Sequence, residues 1–193
     1  IRLRSAGYTP MLAASGAEPA SLVALGIPNS LHLVLAALGC WKIGAVPVPM
    51  HWDLPEWERD RVREVIAPAV VVYEKSRWEL DARAAGESAN PLPPAVSPNV
   101  NGICSSGSTG GPKVILSLAP SLWTPQHGEP FLSNWTSVAQ PQTIMVPAPM
   151  YHTNGFATFF FLLAGDHLVV LEKFHAALAL DVIERFRITN FTA

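Results

Sequence analysis

Residues 21–49, SLVALGIPNSLHLVLAALGCWKIGAVPVP, decide the fold class. Ser21 to Ile27 is a short apolar run stopped by Pro28, the pattern of a buried strand. Asn29 or Ser30 then offers a side-chain oxygen to cap a helix from about Leu31 to Ile43. Leu33, Val34, Leu35, Leu38, Cys40, Trp41 and Ile43 leave that helix almost no polar face, which predicts that it is covered on most sides. Gly44 ends it, and Ala45 to Pro49 is a second short apolar run. Strand, helix and strand in quick succession predict a βαβ unit.

The same alternation continues outward. Leu54, Trp57, Val62, Val65 and Ile66 fall at helical spacing with charges between them, so Leu54 to Ile66 reads as an amphipathic helix with a solvated face between Glu56 and Glu64. Ala69 to Tyr73 (AVVVY) follows Pro68 and is too short for a helix, as expected of a buried parallel strand. Further strands are expected at Val100 to Cys104, Thr143 to Val146, His167 to Leu171 and Ile188 to Thr192. Helices are expected at Asn154 to Ala164 and Leu178 to Arg187. The predicted class is α/β, with mostly parallel sheets packed by helices. Residues 1–81 form a first α/β segment, 82–99 a proline-rich linker, and 100–193 a second α/β segment. Ser117 to Gln142 is irregular and proline-rich. No internal repeat is visible.

Composition narrows the function classes. Of the 193 residues 49% are apolar and 15% charged, which excludes a disordered chain, and a net charge of −2 argues against nucleic acid or an anionic membrane surface as partner. The most apolar stretch, Leu31 to Met50, is broken by Lys42, Gly44, Pro47 and Pro49, so no transmembrane segment is expected. Cys40 and Cys104 lie far apart in apolar surroundings and the six histidines lack metal-ligand spacing. A disulfide framework or a protein-held metal is therefore not expected, and with no secretory leader at Ile1 the expected location is cytoplasmic. Nothing in the sequence reads as an oligomerisation signal.

The strongest chemical signal is Ser105, Ser106, Gly107, Ser108, Thr109, Gly110, Gly111, Pro112, Lys113. Glycines let backbone N–H groups approach an anion, and hydroxyls with one ammonium complete a phosphate cradle. Placed after the strand ending at Cys104, the loop is expected at the carboxyl end of a parallel strand, where open α/β sheets bind ligands. A flexible Gly/Ser connector is the plainer alternative. The generic P-loop does not fit, since Pro112 stands before Lys113 and Val114 after it, where that pattern has Gly and a magnesium-binding Ser or Thr.

This loop resembles the phosphate-loop signature of the adenylate-forming superfamily, which comprises acyl-CoA synthetases, luciferases and peptide-synthetase adenylation domains. Every specified position of that signature is matched. Pro149, Met150, Tyr151, His152, Thr153, Asn154, Gly155, Phe156 resembles the acyl-pocket motif of CoA ligases. Leu38 to Pro49 and Ile183 to Ala193 are similar to two further family segments. The long proline-rich stretch after Leu116 departs from the family pattern. The resemblance runs from Leu22 onward and covers the N-terminal part of such an enzyme, so the C-terminal catalytic domain lies outside this sequence. The 193 residues alone are expected to be inactive.

The resemblance implies an ATP-dependent carboxylic acid:CoA ligase, similar to fatty-acid, aromatic-acid or steroid/bile-acid CoA ligases. The implied co-substrates are ATP with Mg2+ and coenzyme A, and the implied partner is a carboxylic acid. Ser105, Ser106, Gly107, Ser108, Thr109, Gly110, Gly111 and Lys113 would hold the nucleotide phosphates, with Lys113 and Thr109 also counted among the catalytic residues. His152 would hydrogen-bond the substrate carboxylate and gate the path of the CoA thiol, with Thr153 and Asn154 beside it. The plainer reading of His152 is a buried, hydrogen-bonded histidine at a helix start. Phe156 and Phe159 to Phe161 read as pocket wall or core, with core favoured for the run. The six tryptophans read as core and loop anchors. A non-catalytic nucleotide-binding or interaction module on the same fold is the alternative function.

Overall fold

Ser30 sets where the first crossover helix begins. Its Oγ accepts the Leu33 N–H at 3.3 Å and donates to the Pro28 carbonyl at 3.0 Å, closing the turn that leaves the preceding strand. In the computed structural model, which describes residues 2–73, 93, 95–105, 111–125 and 141–191, with side chains from residue 8, the flanking strand β1 is Leu22–Gly26 and the helix α2 is Leu31–Lys42. At the other end Gly44 takes φ +75°, and the N–H groups of Gly44 and Ala45 return to the carbonyls of Trp41 and Cys40. A left-handed residue after the last turn satisfies carbonyls the helix would leave open.

A preceding helix, α1 (Arg2–Ala14), supplies the cover that the apolar α2 needs. Tyr8, Met11 and Leu12 are buried, and a Cβ added at Gly39 would meet Tyr8 Cβ and Leu12 Cδ1 at 3.2 Å each. Glycine at 39 therefore sets how closely the two helices approach.

The first parallel sheet has β1 at its centre. It pairs with β2 (Val46–Pro49) in the register Leu22 to Val46, and with β3 (Val70–Tyr73) in the register Val23 to Val70. Between β2 and β3 runs α3 (Glu56–Ile66), which buries Val62 and Ile66 against Ala24, Val48 and Met50. The helix ends at Ala67, a non-glycine residue at φ 47°. A two-stranded antiparallel hairpin, β4 (Gly102–Ser105) with β5 (Lys113–Leu116), lies against the same core through Cys104 and Val114. A Cβ at Gly102 would come within 3.1 Å of Val48 Cγ2.

The chain divides into two compact units, Ile1–Leu122 and Trp123–Ala193, so Val100 to Leu122 groups with the first segment rather than the second. The expected linker at 82–99 lies mostly outside the described residues.

In the second unit β6 (Thr143–Val146) is central, flanked in parallel by β7 (His167–Val170) and β8 (Asn190–Phe191). The helix expected over Asn154 to Ala164 is two short pieces, α4 (Thr153–Phe156) and α5 (Phe159–Leu163). The buried Thr158 hydroxyl donates to the Gly155 carbonyl at 2.6 Å, taking an acceptor that a continuous helix would use for its own backbone. The helix α6 (Ala176–Phe186) packs Ala179 and Val182 onto Met145 and Leu171.

Both parallel sheets have the same order: the first strand is central, the second lies on one side and the third on the other. This repeat of topology has no counterpart in the sequence pattern. No described helix is long and apolar enough to cross a membrane.

Candidate functional site

The carboxyl end of β6 opens into a cavity of about 660 Å3. Every lining residue comes from a strand end or the segment just after one. Met145, Pro147, Ala148 and Pro149 belong to β6 and its exit, His152, Thr153 and Asn154 to the start of α4, Phe174 to the exit of β7, and Phe191 to β8. β6 sits between β7 and β8, so chain leaving it and chain leaving its neighbours part to opposite sides, which leaves a crevice at the strand ends.

Sequence reasoning applied this strand-end rule to the loop after β4. There the structure differs: β4 pairs antiparallel with β5, so the loop is a hairpin connection and not the exit of a parallel strand. Val114 and Ile115, part of the β-branched run that follows Lys113, form the return strand.

The turn before α4 is rigidly built. The His152 N–H donates to the Pro149 carbonyl at 3.1 Å, and the His152 carbonyl accepts the Phe156 N–H at 2.9 Å. A Cβ on Gly155 would overlap the Pro149 carbonyl and come 2.7 Å from Met150 Cα, so only glycine lets the turn close on the helix. His152, Thr153 and Asn154 are exposed on the cavity, with the imidazole stacked at an angle on Tyr151, ring centroids 4.5 Å apart. His152 is thus not a buried core histidine. Burial raises the Tyr151 hydroxyl above the ordinary tyrosine range.

The lining is mainly apolar. Phe174 and Phe191 contribute rings that are half exposed, while Phe156, Phe159 and Phe161 are buried away from the cavity as core. An imidazole, a hydroxyl and a carboxamide at one end of such a space can hold a polar or anionic head group while the walls take an apolar body. Sequence reasoning missed Phe174 and Phe191, since an isolated aromatic at a strand end belongs to no motif.

In the first unit Ser105 and Lys113 are register partners across the hairpin, closing the mouth of the glycine-rich loop between a hydroxyl and an exposed ammonium. Gly111 is exposed beside them. Ser106, Gly107, Ser108, Thr109 and Gly110 lie outside the described residues. The hairpin belongs to the first unit and the cavity to the second.

Both thiols are free, Cys40 buried and Cys104 partly buried. Trp57 and Trp123 are 63% and 60% exposed, so these two are not core anchors. Among the described residues no group of three His, Cys, Asp or Glu is arranged to hold a metal.

The mixed α/β fold, with a glycine-rich hairpin in one unit and a strand-end cavity in the next, is that of the N-terminal domains of adenylate-forming enzymes. The chain belongs to the AMP-binding enzyme family, whose model matches residues 3–193. Among solved structures it is similar to the inhibitor-bound N-terminal domain of FACL13 from Mycobacterium tuberculosis, at 23% identity and TM-score 0.78, covering 100% of this chain and 54% of that one. The N-terminal subdomain of NpsA from Klebsiella oxytoca, bound to 3-hydroxybenzoyl-AMSN, aligns at 21% identity and TM-score 0.78, covering 97% and 50%. The o-succinylbenzoate CoA synthetase of Bacillus subtilis, in complex with its acyl-adenylate intermediate, aligns at 20% identity and TM-score 0.74, covering 100% and 53%. The chain spans about half the length of these structures.

Proposed function

We propose that this chain is the N-terminal part of an ATP-dependent carboxylic acid:CoA ligase. The observation that carries the reading is the mainly apolar cavity at the carboxyl end of β6, with His152, Thr153 and Asn154 at its polar end, in a chain of the AMP-binding family. The reaction has two halves: a carboxylate attacks the α-phosphate of ATP to give acyl-adenylate and pyrophosphate, and the CoA thiol then takes the acyl group and releases AMP. Magnesium enters with ATP as part of that substrate.

Each residue has a task in this reading. Lys113 neutralises charge that grows on the leaving pyrophosphate, helped by the hydroxyls of Ser105, Ser106, Ser108 and Thr109 and by the amides of Gly107, Gly110 and Gly111. The register of Ser105 with Lys113 fixes the backbone from which the lysine side chain reaches the nucleotide, which supports a positioning part in the catalysis. His152 Nδ1 or Nε2 donates to the acid's carboxylate, and Thr153 and Asn154 supply further polar contacts. Phe174 and Phe191 stack on or pack against the acid's body, which favours acids with an apolar or aromatic skeleton.

The test is pyrophosphate release by the full-length protein carrying this sequence, given ATP, Mg2+ and a panel of fatty, aromatic and steroid acids, with and without CoA. Acid-dependent release followed by a CoA thioester is expected. Folded protein that releases none with any acid would sink the ligase reading and favour a non-catalytic nucleotide-binding module.

A further inference from the structure

His152 carries its imidazole at the polar end of the cavity with little to hold it. The residue is exposed and occupies the N-cap position of α4, yet its side chain makes no capping hydrogen bond. Among the described residues the imidazole has no hydrogen-bond partner. Its ring contact there is with Tyr151, ring centroids 4.5 Å apart and planes inclined at 50°. An exposed side chain without a partner moves among its rotamers in picoseconds to nanoseconds, so the direction in which this imidazole donates is set by its aromatic neighbour.

The contact comes from the turn. Successive side chains point to opposite faces of a strand and diverge around a helix, so neighbouring rings meet where the chain bends. The bond from the His152 N–H to the Pro149 carbonyl closes a four-residue turn with Met150 and Tyr151 at its centre. Met150 is buried and Gly155 lies against its backbone, which fixes the turn from beneath. Tyr151 is half-buried and is not part of the cavity wall, so it touches the imidazole without taking space from the acid.

We propose that Tyr151 is a positioning residue for the adenylation half-reaction: its ring holds the His152 imidazole turned towards the cavity, ready to donate to the acid's carboxylate. The inference rests on the assignment of His152 made above. A donor set in advance meets the carboxylate without first losing rotamer freedom, and it keeps the attacking oxygen in line with the α-phosphate. Tilted aromatic pairs at this distance attract through edge and face, so a leucine fills the space without fixing the angle of the imidazole.

The experiment is a double-mutant cycle in the full-length protein carrying this sequence. Tyr151→Leu, Tyr151→Phe, His152→Ala and Tyr151→Leu/His152→Ala are compared with the wild type by acid-dependent pyrophosphate release, with thermal unfolding as the fold control. Tyr151→Leu is expected to lower kcat/KM for the acid about tenfold and to leave KM for ATP within about twofold. Tyr151→Phe restores a ring and is expected to recover most of the loss. With His152 already replaced by alanine, Tyr151→Leu is expected to cost nothing further, because its effect passes through the imidazole. The ring protons of His152, identified by their loss in His152→Ala, should carry a ring-current shift that Tyr151→Phe keeps and Tyr151→Leu abolishes. Equal losses from Tyr151→Leu with and without His152, or a phenylalanine variant as impaired as the leucine one, would overturn the role of Tyr151 and leave the ligase reading standing. Unchanged turnover in His152→Ala would remove the assignment of His152 and Tyr151 with it. Folded wild type that releases no pyrophosphate with any acid overturns the ligase reading itself.

Discussion

Trp41 Nε1–H donates to the Val100 carbonyl at 2.6 Å, joining the last turn of α2 to the segment that enters β4 across 59 residues of chain. Val100 is held from its other side as well, its N–H donating to the Ala119 carbonyl at 2.7 Å. The strand that leads into the glycine-rich loop is therefore fixed to the first sheet's crossover helix by one indole. Trp41→Phe keeps most of the apolar surface and removes the donor. The expected cost is about 1 kcal/mol of stability, because the partly buried carbonyl loses its partner. Urea unfolding reads this directly, and an unchanged midpoint would mean that the bond contributes nothing.

Gly155 is the position where the second site is least tolerant. Its α-carbon faces the Pro149 backbone so closely that any Cβ overlaps the Pro149 carbonyl. Main chain cannot yield as a flexible side chain can, so Gly155→Ala is expected to destabilise the protein by about 1–3 kcal/mol. The same displacement would move His152, whose N–H is bonded to that carbonyl. Thermal unfolding measures the first effect. Loss of the proposed ligase's acid-dependent pyrophosphate release, in the surviving folded fraction of the full-length protein, measures the second.

How far the sequence could lead is clear from particular elements. β1, α2, β2, α3, β3 and β6 were legible because each is a local apolar run of one period, bounded by Pro, Gly or a capping Ser. α1 was not, since Tyr8, Met11 and Leu12 declare a face only once α2 is there to meet it. β5 was hidden because its residues follow directly on a motif that claims the eye for chemistry. The shared strand order of the two sheets could not be read, because it depends on which distant strands pair. For the cavity, His152 to Asn154 were legible as a motif, whereas Phe174 and Phe191 are brought there only by the placing of β7 and β8 beside β6.

Cys104 gives the molecule a readable alkaline limb. Burial against the hairpin core pushes its thiol from an ordinary 9.0 up to about 11. The folded state thus keeps the proton longer than the unfolded state. The resulting stabilisation is complete below pH 9 and is lost as pH rises from 9 towards 11. Cys104→Ala removes this term, so its stability relative to the wild type is expected to improve progressively over that window and to be constant below it. Denaturant midpoints at pH 7, 9 and 10.5 test this. Parallel curves for the two proteins would mean that the thiol titrates alike when folded and unfolded. Burial shifts Cys40 in the same direction, and its contribution cancels in the comparison.

Phe174 separates binding of the acid from the chemistry done on it. Its ring lines the cavity from the exit of β7, opposite in chain order to the polar end at His152 to Asn154, and 58% of the residue is still open to solvent. A ring so exposed contributes little to folding, so Phe174→Ala is expected to leave thermal stability within about 0.5 kcal/mol of the wild type. In the proposed ligase it would withdraw apolar contact from the acid's body. At about 25 cal/mol per Å2, losing some tens of Å2 of contact corresponds to a roughly fivefold rise in KM for the acid. The KM for ATP and the kcat should change little, because the reacting carboxylate is held elsewhere. Steady-state kinetics with an aromatic and a short aliphatic acid make the distinction. The KM effect should be larger for the aromatic acid, and equal effects on both, or a fall in kcat alone, would remove Phe174 from the acid-binding surface.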